Sequence, residues 1–291
     1  MDLWLLPTRN QVAALTLGDF QATCARGDPL PATDPGLDAA LGAAQGWRQP
    51  VPWAALLAGA AADSLTPWLA ADLVHVRAEA VGARVMALAV DQAVPDPDLR
   101  GLFEALRPWL ADEAIEMVQI DGGRALLRCP ASHGDPGTLA PDALLGCDLR
   151  EVLPADLRWQ RRLNEMQIVL TQQSGNESRI ARGLPAWNTL WFWGQGSADL
   201  CPRPDFATLA STDPQLRALA RRWALPVVDP EYPAPGPGPV LRDLRDPRQL
   251  RAAWLAGMRP EDAALRFGDG TGLRIRRWHR WRFWRSAVPA G

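Results

Sequence analysis

The sequence predicts an α/β fold: a mixed sheet flanked by helices, with β-hairpins in the N-terminal half and at the C-terminus. Three observations predict it. Short apolar runs closed by Pro, Gly or Asp read as strands. Between them, apolar residues recur at helical spacing. Gly-containing turns in "VGA", "DGG" and "GDG" join strand-like runs into hairpins.

Taken in order, "DLWLLP" is too brief an apolar run to hold a helix and reads as a buried opening strand. From Ala13 to Ala62 the chain is Ala- and Leu-rich with Pro and Gly breaks, which suggests short helices. "VHVRA" and "RVMALA" then read as strands either side of "VGA". "DPDLRGLFEALRPWLA" places Leu99, Leu102, Phe103, Leu106 and Leu110 on one helical stripe, and "EMVQIDGGRALLRCP" is a hairpin around Asp121-Gly122-Gly123. Residues 131–154 are loop-rich and read as a hinge between an N-terminal region, 1–130, and a C-terminal region, 155–291.

Beyond the hinge, "LRWQRRLNEMQIVLTQQ" carries an apolar stripe of Trp159, Leu163, Met166 and Leu170. Beside it runs a polar stripe of Asn164, Gln167 and Thr171. Uncharged amides in register face either a site or a satisfied hydrogen-bond network. "GNESRIARGLP" reads as a short helix capped by Asn176 and ended by Gly183, with Arg179 and Arg182 on one side. "AWNTLWFW" is apolar on both faces, as in the interior of a parallel or mixed sheet. Its carboxyl end turns at Gly194-Gln195-Gly196, where open α/β sheets bind ligands, although a purely structural turn has the same signature. Asp213 and Pro214 start a further helix, "APGPGPV" is a surface linker, and "LRDPRQLRAAWLAGM" is one more helix. A hairpin around Asp269-Gly270 precedes the terminal "RRWHRWRFWR", and no internal repeat stands out.

Composition narrows the function. The chain has 291 residues, 47% of them hydrophobic and 22% charged, with a net charge of -2, so nothing draws the whole molecule to nucleic acid or acidic membranes. All 31 basic residues are Arg, which removes lysine-based phosphate loops and Schiff-base chemistry. Four scattered cysteines without a CxxC, and a start lacking a basic signal-peptide region, lead to the expectation of a cytoplasmic protein that does not enter membranes. His75, His133 and His279 form no HExxH or HxH, and no GxSxG occurs. No catalytic residue, metal site or cofactor is therefore assigned.

One local patch departs from the average. Arg274, Arg276, Arg277, Arg280, Arg282 and Arg285 alternate with Trp278, Trp281 and Trp284 without an intervening acid. Such a tail either binds phosphates and stacks bases, or forms a strand in which Arg lies on Trp against acidic neighbours.

"DLVHVRAE", "LLGCDLREVLP", "WQRRLNEMQIVL", "SRIARGLPAWNTLWFWGQG" and "WRFWR" together resemble, in order and spacing, the RpfE-type regulatory proteins of proteobacteria. Through Arg182, Gly183, Pro185, Asn188 and "WGQG" the chain also resembles cofactor-independent phosphoglycerate mutases of the archaeal type. The resemblance implies an alkaline-phosphatase-like α/β fold, or a degenerate form of it, with this segment near a phosphate-ester site. It also implies two metals and a Ser nucleophile. Here "LLPTRN" replaces the Asp-Gly after the first strand, and "VLTQQSGN" stands where those enzymes carry His.

The expectation is a regulatory or ligand-binding protein without metal-dependent catalysis, which takes a small phosphorylated or other anionic metabolite, or a protein partner. Asn164, Gln167, Arg179, Arg182, Asn188, Gly194, Gln195 and Gly196 would form its site, with Arg supplying paired hydrogen bonds to the anion. The alternatives are a mutase-like phosphotransfer enzyme and a nucleic-acid-associated protein acting through the Arg/Trp tail.

Overall fold

A computed structural model of the chain describes residues 1–59, 67–92, 96–282 and 285. Its contacts divide the chain into two compact units, Met1–Pro50 with Pro202–Gly291, and Val51–Cys201. The expected boundaries at 130 and 154 are thereby corrected. Residues 131–154 lie within the second unit and are tied to its sheet: Val85 N–H donates to Cys147 O at 3.2 Å, and Gly146 N–H to Val85 O at 2.9 Å. Its Pro and Gly residues separate short helical turns.

The first unit opens with β1 (Asp2–Leu6), α1 (Arg9–Ala14), α2 (Gly18–Arg26), β2 (Asp28–Leu30) and α3 (Leu37–Gln45). The second comprises α4 (Trp53–Ala58), β3 (Trp68–Ala78), β4 (Ala83–Leu88), α5 (Asp98–Asp112), β5 (Glu116–Asp121), β6 (Arg124–Arg128), α6 (Pro141–Leu144), α7 (Leu149–Val152), α8 (Leu157–Thr171), α9 (Ser174–Ala181) and β7 (Thr189–Gly196). The chain then returns to the first unit with β8 (Thr208–Ala210), α10 (Pro214–Arg222), β9 (Val227–Val228), β10 (Val240–Asp243), α11 (Pro247–Leu255), β11 (Ala263–Phe267) and β12 (Gly272–Ile275).

The first unit is a mixed seven-stranded sheet in the order β2-β12-β11-β1-β10-β8-β9. β1, β8, β9, β10 and β11 run parallel, while β12 and β2 add an antiparallel edge. Burial of β1 on both faces explains its unbroken "LWLL". Trp4, Leu6, Phe20, Leu250, Trp254, Leu265 and Phe267 belong to one core cluster, in which Phe20 meets Trp254 edge-on at 4.9 Å. Helices α10 and α11 begin as the sequence leads one to expect, each with an Asp N-cap, Asp213 or Asp246, followed by Pro.

The second unit is an antiparallel five-stranded sheet. β3 carries β7 along one edge and β6 then β4 along the other, and β5 pairs with β6. The expected placement of "AWNTLWFW" inside a parallel or mixed sheet is corrected, since β7 runs antiparallel and among the described residues pairs with β3 alone. It reads as apolar on both faces because α4 and α8 pack onto it. The stripes of α5 and α8 are buried as their spacing predicts. Asn176 does not cap α9: Gln173 holds that position, and Asn176 sits inside the helix.

The three hairpins form as expected, β3–β4, β5–β6 and β11–β12. The terminal Arg/Trp segment is not a strand; Arg277–Trp281 form a 3-10 turn, with Phe283 and Trp284 outside the described residues. Ala60 and Ala61, which end the apolar run "WAALLAGAA", also lie outside them. Among the described residues no helix is long and apolar enough to cross a membrane.

Candidate functional site

The residues singled out in "LNEMQ…GNESRIARGLPAWNTLWFWGQG" do not converge. Arg179 is buried; its guanidinium pairs with Asp96, donates to Pro185 O at 2.9 Å and lies 4.8 Å over the Trp187 ring. Arg182 pairs with Asp98, so the two arginines fasten α9 to the start of α5. Asn188 exchanges hydrogen bonds with the Val76 backbone, accepting from its N–H at 2.9 Å and donating to its O at 2.8 Å. Its amide thereby extends the β3–β7 ladder by one rung. Asn164 is exposed and Gln167 half-buried on α8.

The glycine corner is closed as well. Gly194 has φ +67, and a Cβ there would lie 3.2 Å from Trp53 Cβ; Gly196 has φ +151, and its Cβ would meet Pro52 Cβ at 2.7 Å. Glycine is needed there because α4 approaches, not because a ligand does. Gln195 Oε1 is buried without a donor. Asn188 and Gln195 are seven residues apart along an extended strand, roughly 23 Å at the usual rise, so no small ligand touches both.

Sequence reasoning missed the amide that organises this segment. Asn176 accepts from Trp187 N–H at 2.8 Å and donates to Leu170 O at 2.8 Å and Trp187 O at 2.9 Å, locking α8 to the approach to β7. Its mid-helix position was the available signal, because a buried amide there must find partners off its own helix.

In the first unit, the chain leaves β8 through α10 toward β9, and leaves β10 through α11 toward β11, on opposite sides. The carboxyl ends of β8 and β10 thus form a topological switch point, the usual ligand crevice of open α/β sheets. It is filled by its own side chains. Buried Ser211 Oγ lies 2.9 Å from Asp243 Oδ2 and accepts from Asp213 N–H at 2.9 Å. Arg245 reaches Asp243 Oδ1 at 2.8 Å and Asp213 Oδ2 at 2.9 Å. Burial pushes the Asp243 carboxyl up, but the charge and hydrogen bonds of Arg245, with Ser211, outweigh it and hold Asp243 below its ordinary value. Ser211, 1% exposed and bonded to a carboxylate, is in no position to attack a substrate.

At the end of β1, where the mutase resemblance implies a metal-binding Asp-Gly, Thr8 caps α1 and Arg9 N–H donates to Asp269 Oδ2 at 2.9 Å. Among the described residues no group of three or more His, Cys, Asp or Glu side chains is arranged to hold a metal ion. The described residues do not fit a two-metal centre.

A cleft of about 440 Å³ in the same unit is lined by Arg26, Arg259, Arg276, Arg277 and Arg280 against the single carboxylate of Glu261. The 3-10 turn and the loop after α11 supply most of this lining. Arg259 is held by Trp254 O and Met258 O, both at 2.8 Å, with its guanidinium 3.7 Å from the Trp254 ring centre. Arg277 lies 3.4 Å from both Glu261 and Asp262, all exposed. Among the described residues no carboxylate lies within ion-pair distance of Arg26, Arg276 or Arg280, and Arg26 Nε is buried without an acceptor. Behind the turn, His279 Nε2 lies 3.2 Å from Asp28 Oδ2 without hydrogen-bond geometry, and Arg282 donates to Asp28 Oδ1 at 2.5 Å. Burial, then the Arg282 charge, pushes His279 below its ordinary value despite the opposing pull of Asp28.

No family model matches the chain, and no curated relative matches it. Among solved structures, the PH0037 protein from Pyrococcus horikoshii is similar at 11% identity and a TM-score of 0.44, over 94% of this chain and 86% of that one. The cofactor-independent phosphoglycerate mutase from Thermoplasma acidophilum is similar at 14% identity and a TM-score of 0.37, over 94% of this chain and 89% of that one. At these identities and scores the likenesses decide neither chemistry nor ligand.

Proposed function

We propose that the chain is a ligand-binding protein that takes a small phosphorylated or carboxylated anion in the arginine cleft of its first unit. The observation that supports this reading is the imbalance of charge in the lining of that cleft, five guanidiniums against one carboxylate. Guanidiniums in a concave, partly desolvated site give paired, charge-assisted hydrogen bonds to phosphate and carboxylate oxygens. A regulatory role, which the RpfE-type resemblance implies, fits a protein that senses such a metabolite. The proposal moves the ligand away from the β7 segment, whose arginines already serve Asp96 and Asp98.

A thermal-shift series with inorganic phosphate, 3-phosphoglycerate and citrate tests it. Ligand at a hundred times its Kd raises stability by about 2.7 kcal/mol, a shift well within reach of the method. The expected result is an upward shift that Arg276→Ala with Arg280→Ala removes and Arg182→Ala keeps. No shift with any anion, or one that survives loss of Arg276 and Arg280, overturns the reading.

A further inference from the structure

The turn that lines the cleft has a second feature, which speaks to what kind of anion fits. In a 3-10 helix side chains at i and i+3 eclipse one another. Over residues 277–282 this gives three ridges: Arg277 with Arg280, Trp278 with Trp281, and His279 with Arg282. The third ridge faces inward onto Asp28. The first lines the cleft. The second is turned out: Trp278 is 48% and Trp281 65% exposed, although indoles are normally the most costly side chains to leave in water. Arg282 lies over the Trp278 ring, 4.1 Å from its centre, with Arg276 over it at 5.9 Å, and Arg280 lies over the Trp281 ring at 5.1 Å, so each indole already takes a cation on its face.

We propose that this turn binds single-stranded nucleic acid, with the guanidinium ridge and the cleft tracking phosphates while Trp278 and Trp281 stack on bases. The proposal rests on the anion-binding reading of the cleft and extends it from a small anion to the phosphates of a polymer. A row of guanidiniums beside a row of exposed indoles matches a chain that alternates phosphate with flat aromatic faces. Spacing decides between one strand and two. Eclipsed residues of a 3-10 turn are roughly 6 Å apart along its axis. Stacked nucleotides advance about 3.4 Å along one strand, so the indoles suit splayed bases of an unpaired strand. The net charge of -2 does not oppose this, because short-range phosphate contacts depend on the local patch. The exposed pairing of Arg277 with Glu261 and Asp262 is readily exchanged for phosphate.

The test uses the full chain and fluorescence anisotropy with labelled oligothymidylate, a duplex of equal length, inorganic polyphosphate and phosphatidylcholine–phosphatidylserine vesicles. Oligothymidylate is expected to bind more tightly than duplex or polyphosphate, with a log–log salt slope near -2 if about three phosphates are neutralised. Trp281→Ala and Trp278→Ala should each weaken oligothymidylate about 5- to 100-fold and leave polyphosphate unchanged, while Trp281→Phe restores most of the loss. Arg277→Ala with Arg280→Ala should weaken both ligands. If oligothymidylate binds no better than polyphosphate, or the Trp variants bind it as the parent does, the nucleic-acid assignment is overturned while anion binding stands. Binding to vesicles in preference to oligothymidylate overturns it in favour of a membrane surface. If no polyanion or small anion binds, both readings fall.

Discussion

Two stretches of this chain are built from the same residues and end in opposite conditions. In the 179–193 stretch, Arg179 and the tryptophans are enclosed: Arg179 has 3% of its side chain exposed, and Trp187, Trp191 and Trp193 are all buried. In the 276–282 stretch, the same pairing stands in the open, with Trp281 65% exposed beside Arg280. The difference lies in what else each segment finds. The first has Asp96 and Asp98 at the head of α5, an amide clasp from Asn176, and two helices packed onto its strand. The second has Asp28 for its inward ridge, and on its outer ridges Arg277 meets only the exposed Glu261 and Asp262. Arg/Trp richness therefore does not distinguish a core from a recognition surface; the supply of acids and of covering helices does.

The largest test of that contrast removes an acid from the closed stretch. Asp96 receives Arg179 and the Trp187 indole N–H, the latter at 3.2 Å. Asp96→Ala leaves a nearly buried guanidinium without its counter-charge, and breaking such a pair costs about 3–5 kcal/mol. Urea unfolding should show this as a lower midpoint with an unchanged slope. A loss under about 1 kcal/mol would mean that Arg179 is as free as the arginines of the terminal turn, which ends the contrast.

A smaller effect is expected at the glycine corner. Gly196→Ala adds a Cβ 2.7 Å from Pro52 Cβ at φ +151, so packing and backbone both object. Overpacking of this kind costs about 1–3 kcal/mol. A corner open to a ligand would accept alanine at the cost of the backbone conformation alone, so a crystal structure or unfolding curve of the variant separates a packing role from a binding role.

What the sequence disclosed and what it hid follow from how local each interaction is. The stripes of α5 and α8, the hairpins and the Asp-Pro helix starts depend on residues within a few positions of one another, and spacing reveals them. The partner of β7 does not: Thr189–Gly196 is joined to Trp68–Val74 across more than a hundred residues, and an edge strand covered by two helices reads the same as a central one. The division of the chain was equally non-local. A trace of the first unit lay in "DPQLRALARRWAL" and "DPRQLRAAWLAGM", which share an Asp-Pro start and a Gln-Leu-Arg, and which become α10 and α11, the helices that follow β8 and β10. Of the residues expected to contact a ligand, Arg179, Arg182 and Asn188 meet partners within their own chain, and sequence does not show whether a guanidinium meets a carboxylate of its own chain.

The crevice offers a middle case, a buried charge that is closed like the first stretch yet titratable. The carboxyl of Asp243 is held below its ordinary value in the folded state. A group with a depressed folded pKa contributes stability above its unfolded value, near 3.9 for Asp, and that contribution is lost as pH falls through the folded value. Asp243→Asn removes the charge that faces Arg245 and leaves one acceptor oxygen where Ser211 and Arg245 now share two, so about 1–2 kcal/mol is lost at neutral pH. The deficit should shrink as the pH is lowered below about 4, because the parent loses the same charge there. A deficit that stays constant down to pH values where Asp243 is protonated would show that the variant acts through packing and not through the ion pair.

The smallest effect is the most discriminating for the open stretch. Trp281 covers little and satisfies nothing buried, so Trp281→Ala should alter the unfolding free energy by no more than about 0.5 kcal/mol, the range of ordinary surface positions. Its neighbour His279, 2% exposed in the same turn, gives the internal control, because His279→Ala opens a void behind the arginines and should destabilise measurably more. Residues two apart in one short turn would then differ in stability while the exposed one governs binding to oligothymidylate. A Trp281→Ala variant that unfolds as readily as His279→Ala would place the indole among the supports of the fold, and the turn would join the closed stretch in kind.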